Sequence, residues 1–185
     1  MSSPSFAVAY TAPNQNANDA PTLNVLGMAC GVKLSHAQTY GQFSCIEVAL
    51  EPWQFGPPPH VHHQLDEIMR VLEGTVTVLE GDQVREIPAG GWHFRPRGVV
   101  HTFWNAHDQP ARFIDMYPST QDFAHYLEEL ADLGQALHNE GANPFAPKSI
   151  ARFKALDARY DHEVFYEKCP ITWGSTGRKA EAVKG

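Results

Sequence analysis

Between residues 22 and 118 polar and apolar positions keep alternating. The run QFSCIEVALEPW, residues 42–53, alternates and carries β-branched and aromatic residues. The run EIMRVLEGTVTVLEGDQVREIPAGGWHF, residues 67–94, reads as a strand, a turn at Gly74, a strand, a turn at Gly81-Asp82 and a further strand. A Gly-Asp pair between two such runs suits a tight hairpin. GVVHTFWN and ARFIDMYP supply two more strands. Many short strands punctuated by Gly and Pro predict an antiparallel sandwich or barrel, not alternating β-α units. Pro57, Pro58 and Pro59 have no amide hydrogen to give a ladder, so they mark a connection or an edge.

After Pro118 the period changes. STQDFAHYLEELADLGQALHNEG places Phe123, Tyr126, Leu127, Leu130, Leu133 and Leu137 on one helical stripe. Ser119, with Asp122 three residues later, has the form of a capping box, and Gly141 can end the helix. NPFAP links to a second helical run, SIARFKALDARY, with Ile150, Phe153, Leu156 and Tyr160 in its stripe. The aromatic residues here are read as packing, on the outside of the β structure or on a second subunit. The chain thus divides into a loose arm over residues 1–21, a β domain over 22–118, and a helical extension over 119–185 ending in a loose tail.

Composition narrows the function classes. The 185 residues carry a formal net charge of −7, and no basic run precedes the short tail around Arg178 and Lys179. Nucleic acid and anionic membrane surfaces need clustered Lys and Arg, so neither is expected as a partner. Cys30, Cys45 and Cys169 are odd in number and form no C-x-x-C pair, which argues against a disulfide framework or a cysteine zinc site. The first residues lack a basic region followed by an apolar core, and no apolar run reaches the roughly 18 residues of a membrane span. The expectation is a soluble, cytoplasmic protein.

The chemistry concentrates in GPPPHVHHQLDE, residues 56–67. Side chains two apart on a strand share a face, so His60 and His62 project together and His63 points away. Two such imidazoles make a two-point clamp for a metal ion. Glu67 can rejoin them only if HQLD turns the chain, as in a strand that runs in, turns and runs out antiparallel. A further histidine, His101, follows the Pro96-Arg97-Gly98 turn. Two or three imidazoles with one carboxylate suit Fe, Mn, Ni, Cu or Zn, and not calcium, which takes oxygen ligands. Four protein ligands leave open positions on an octahedral ion, but close a tetrahedral zinc site.

These residues resemble both motifs of the cupin superfamily. The first has the form G…HxH(x)4E(x)6G, met by Gly56, His60, His62, Glu67 and Gly74, with three residues rather than five between Gly56 and His60. The second, G(x)5PxG(x)2H(x)3N, is met by Gly90, Pro96, Gly98, His101 and Asn105. The resemblance covers about residues 22–118. It implies a mainly β fold, a conical jelly-roll β-barrel with C-terminal helices attached. It also implies one divalent transition metal ion per subunit, held by His60, His62, Glu67 and His101. Gly74 and Gly98 are read as turn glycines of positive φ.

A weaker resemblance, resting on layout and on the ALDARYDHEVFY segment, is to the bacterial quercetinase-like dioxygenases. It implies a metal-dependent dioxygenase acting on a small phenolic or enolic substrate, with Glu67 both ligand and proton acceptor. Alternation places Met69 and Val71 on the face of Glu67, and Val99, Phe103 and Asn105 on that of His101, as a substrate pocket. The alternatives are metal-assisted isomerase, decarboxylase or lyase chemistry, or a non-catalytic small-molecule-binding protein. A homodimer is expected from the resemblance, with open sheet edges and the arm available to cross over.

Overall fold

The computed structural model describes residues 22–168; the arm and the tail, with Cys169, lie outside them. The alternating runs form strands β1 (Thr22–Val25), β2 (Met28–Leu34), β3 (Ser44–Leu50), β4 (His60–His62), β5 (Glu67–Glu73), β6 (Thr75–Glu80), β7 (Gln83–Pro88), β8 (Trp92–Arg95), β9 (His101–Trp104) and β10 (Ala111–Tyr117). Helices α1 (Phe123–Asn139) and α2 (Pro147–Asp157) follow, and then a short strand, β11 (His162–Val164).

Two antiparallel sheets result, in the orders β1-β2-β3-β10-β5-β8 and β11-β4-β9-β6-β7. Their inward residues fuse into one core. Ile46, Val48, Met69, Val71 and Phe113 come from the first sheet, and Val76, Val78 and Phe103 from the second. Phe103 meets Phe113 edge to face across the gap, with ring centroids 5.0 Å apart. Each of these side chains contributes about 1.5–3 kcal/mol by leaving water. The mainly β, jelly-roll expectation with C-terminal helices therefore stands. The closed barrel does not: β1, β8, β11 and β7 are edges, so the sheets form an open sandwich.

Turn chemistry places the chain reversals. Glu80 pairs with Gln83 around Gly81-Asp82, the tight hairpin expected. At Gly74 the chain leaves β5 and enters β6 in the other sheet, with φ +69 and no room for a Cβ beside the Pro110 carbonyl. HQLD also departs from expectation. It does not fold β5 back beside β4, because the two strands belong to opposite sheets. Glu67 thus approaches the histidines from across the sandwich.

The extension is more than an outer layer. α1 starts one turn later than the sequence pattern suggested. Its N-cap is Asp122, whose carboxylate accepts from the His125 amide at 3.2 Å, while the Ser119 hydroxyl accepts from Gln121. A cap must stand directly before the first helical residue, here Phe123. Gly141, at φ +63, ends the helix as expected. Asp157 ties the extension together, accepting from the Tyr126 hydroxyl at 2.9 Å and the Tyr166 hydroxyl at 2.8 Å. β11 then adds itself to the edge of β4. Among the described residues no helix is long and apolar enough to cross a membrane. Cys30 and Cys45 are buried and unpaired.

Candidate metal centre

Register brings the histidines together. β9 lies beside β4, with His101 directly opposite His60; β11 lies on the other side, with His162 directly opposite His62. Because His60 and His62 share one face, four imidazoles form a patch on the inner face of one sheet. The ring centroids of His60 and His101 are 4.3 Å apart, and His62 and His162 stack at 4.3 Å with an interplanar angle of 16°. His63 is exposed on the opposite face, 3.8 Å from Glu163. Gly56 allows this layer to close. Its amide donates to the Phe103 carbonyl at 3.0 Å, and a Cβ there would collide with that carbonyl and ring.

Glu67 completes the set from the facing sheet. The ligand atoms of His60, His62, Glu67 and His101 all lie within 4.8 Å of one another, and all four residues are buried. Opposite donors on an ion with bonds near 2.1 Å stand ~4.2 Å apart, so the cluster is close to binding dimensions. Nε2 of His62 lies 2.8 Å from Oε1 of Glu67, yet is not in line for a hydrogen bond with it. Nε2 of His101 likewise has no hydrogen-bond partner. Buried polar atoms are normally satisfied, so donors turned towards a shared point fit a cation. Nδ1 of His60 lies 2.9 Å from the Pro58 carbonyl, and Nδ1 of His101 lies 2.9 Å from that of Val99. Donating there, each ring turns a bare Nε2 into the cluster.

The electrostatics follow from a second register. β5 and β8 place Arg95 directly opposite Glu67. The Arg95 guanidinium is fully buried, 2.8 Å from Oε2 of Glu67, and also bonds Asp115. Burial alone would push the Glu67 carboxyl up. The attraction of Arg95, then of His101 and His62, outweighs it and holds the group well below the usual carboxylate range. Asp115 moves the other way, up to about 6, because burial and the nearby Glu67 charge outweigh its share of Arg95. Burial, reinforced by neighbouring imidazoles, lowers the pKa of His60 and His162 well below the ordinary histidine value. Burial also lowers that of His62. Neutral imidazoles and an ionised carboxylate are the forms that bind metal. The Arg95 clamp also makes Glu67 a weaker base, which favours its ligand role over the proton-accepting one.

A cavity of about 50 Å3 lies against the cluster. His60 and Glu67 face it from the metal side. Phe103 and Tyr117 line it from the sheets, and Phe123, Tyr126, Leu127, Leu130, His162 and Val164 from the extension. Of the five pocket positions read from the sequence, Phe103 lines it. Met69 and Val71 lie in the core between the sheets, and Val99 is half-buried. Asn105 is buried and spends its amide on the carbonyls of Glu51 and Gln109, holding the loop after β9. The helix aromatics Phe123 and Tyr126, read as packing, face the cavity as well as the core. His162 was not singled out at all. The available signal is the alternating DHEVFY run after the helix, within the segment that carries the weaker resemblance.

Comparisons with known proteins agree with this geometry. The sequence family described as Cupin domain matches residues 46–117. No curated protein matches the chain. Among solved structures, the polyketide cyclase RemF from Streptomyces resistomycificus is similar at 24% identity and TM-score 0.51, over 58% of this chain and 79% of that one. A structure described as a sugar phosphate isomerase from a cupin superfamily, from Silicibacter pomeroyi, is similar at 21% identity and TM-score 0.51, over 57% and 75%. A recombinant oxalate oxidase aligns at 25% identity and TM-score 0.45 over 52% of this chain, which spans about half of that protein's length, 53%. At these identities the likeness is one of fold.

Proposed function

This chain is a cupin-superfamily protein, and from that premise we propose that it is a metal-dependent oxygenase of the dioxygenase type, acting on a small organic substrate. The observation that carries the reading is the buried His60, His62, Glu67 and His101 set, two of whose members, His60 and Glu67, line a mostly apolar cavity. A divalent transition ion held there supplies a Lewis-acid centre and, if redox-active, an electron-transfer centre. The chain's own residues do the rest. Phe103, Phe123 and Leu130 exclude water and favour an apolar substrate body, so that one hydroxyl or enolate oxygen is left to approach the donor set. Arg95 keeps Glu67 ionised and oriented.

Size sharpens the substrate class. A dry cavity that takes benzene measures about 150 Å3, whereas this one measures about 50 Å3. An enolic compound of a few atoms fits as the cavity stands; a phenol ring enters only if α1 withdraws. The same tightness favours one other reading, metal-assisted isomerase, decarboxylase or lyase chemistry, because dioxygen then needs no room beside the substrate. Oxygen uptake measured with small enolic compounds, over protein loaded in turn with Fe, Mn, Ni, Cu and Zn, tests the oxygenase. Turnover that continues under strict anaerobiosis replaces it with the second reading. The expected homodimer belongs to the same proposal. Trp92 and Phe94, 60% and 54% exposed on edge strand β8, form an apolar surface for a second copy. Sedimentation of Trp92→Ser against the unaltered chain tests that pairing.

A further inference from the structure

His162 stands apart from the four donors. It comes from β11, beyond the matched residues 46–117, and reaches the cavity by pairing opposite His62. It is 8% exposed, it lines the cavity, and neither ring nitrogen has a hydrogen-bond partner. Its neighbours give it nothing to bond. His62 stacks on it face to face, and His60, Phe123 and Tyr126 present ring edges or faces at centroid distances of 5.0, 6.0 and 5.1 Å. The Tyr126 hydroxyl is already committed to Asp157. Leaving a polar group buried and unbonded costs about 1–3 kcal/mol. A core position with that burden is better filled by an apolar ring unless something arrives to bond it.

We propose that His162 is the polar anchor of the cavity, hydrogen-bonding a second oxygen of a small ligand whose first oxygen faces the His60, His62, Glu67 and His101 set. This deepens the metal-centre reading and rests on it. An imidazole offers one donor and one acceptor, the complement of a hydroxyl. His162 lies within 4.3 to 5.0 Å, ring to ring, of His62 and His60, so one short ligand can reach both the donor set and His162. With about 50 Å3 available, the ligand class is a short 2-hydroxycarbonyl compound or its enediol. The rest of the lining carries no Lys or Arg, so a doubly charged phosphate ester finds no second counter-charge there.

The test is binding, not turnover. Protein loaded with Co(II) is titrated anaerobically with hydroxyacetone and, separately, with acetone, and binding is followed by the visible absorption of the cobalt. Metal content and thermal unfolding are recorded for each variant. The unaltered protein is expected to prefer hydroxyacetone by roughly tenfold, the worth of one hydrogen bond. His162→Phe should abolish the preference with metal content unchanged, and His162→Asn, which keeps a donor and an acceptor, should restore part of it. Should His162→Phe not fold, the His162→Asn and His162→Ala ratios decide the matter. Equal preference in the variants and the unaltered protein overturns the proposal, as does no preference to begin with. Loss of cobalt from His162→Phe also overturns it, making His162 a ligand of the ion. The oxygenase reading fails separately, by the oxygen-uptake measurement.

Discussion

The two halves of the cavity wall differ in origin and in chemistry. The metal half is polar and comes from residues 60–101, on strands within the matched domain. The opposite half is mostly apolar, with His162, Tyr117 and Tyr126 as its main polar side chains, and much of it comes from residues 123–164. The first half is built by pairing across the sandwich, with His60 and His101 held by backbone carbonyls and Glu67 by Arg95. The second is built by helix packing and one short added strand. The metal half therefore sets what chemistry is available, and the extension sets what reaches it. Changing one should leave the other's property in place.

The sharpest way to break that division is at Arg95. Arg95→Met leaves Glu67 and Asp115 buried without their shared counter-charge. Removing one partner of a buried ion pair costs about 3–5 kcal/mol, readable as a lower denaturation midpoint. Metal affinity should fall as well, because Glu67 loses its orientation. On the other half, Phe123→Ala should cost about 3 kcal/mol, the low end for a buried phenyl. It should leave metal content alone and admit larger ligands, read by titrating the metal-loaded protein with phenol. A Phe123→Ala protein that lost its metal would erase the comparison.

A smaller effect in the extension depends on pH. Burial raises the Asp157 carboxyl from 3.8 to about 6, against the pull of hydrogen bonds from Tyr166 and Tyr126. A carboxyl that holds its proton more tightly when folded stabilises the fold fully below about pH 4. That contribution is lost as pH rises through about 6. Asp157→Asn should flatten this part of the stability profile, measured by urea unfolding between these pH values. The smallest effect is at His63. His63→Ala removes an exposed ring 3.8 Å from Glu163 and should change neither metal content nor stability measurably.

The same division governs what the sequence reveals. His60, His62 and Glu67 were legible because their spacing is local, and His101 because its turn context completes a recognisable motif. Strand alternation correctly turned His63 away. What alternation could not supply was the pairing of strands. HQLD joins opposite sheets rather than neighbouring strands, and nothing in four residues reports that. Met69 and Val71 do share the inward face of Glu67, but a face many residues long includes both core and cavity. His162 was the hardest to see, since β11 is three residues long and its partner His62 lies far back in the chain. Phe123 and Tyr126 fit a helical stripe equally well as core and as cavity wall, and the stripe does not distinguish them.

The central claim is that four donors from two sheets hold one metal ion. Elemental analysis of protein purified without chelator, for the unaltered chain, His101→Ala and His63→Ala, tests it most directly. The account predicts one divalent transition ion per chain in the unaltered protein and in His63→Ala. It predicts loss of that ion in His101→Ala, with the circular dichroism of the fold retained. Equal metal content in His101→Ala and the unaltered protein would contradict it, as would no bound transition metal in any of the three after dialysis against a mixture of Fe, Mn, Ni, Cu and Zn salts.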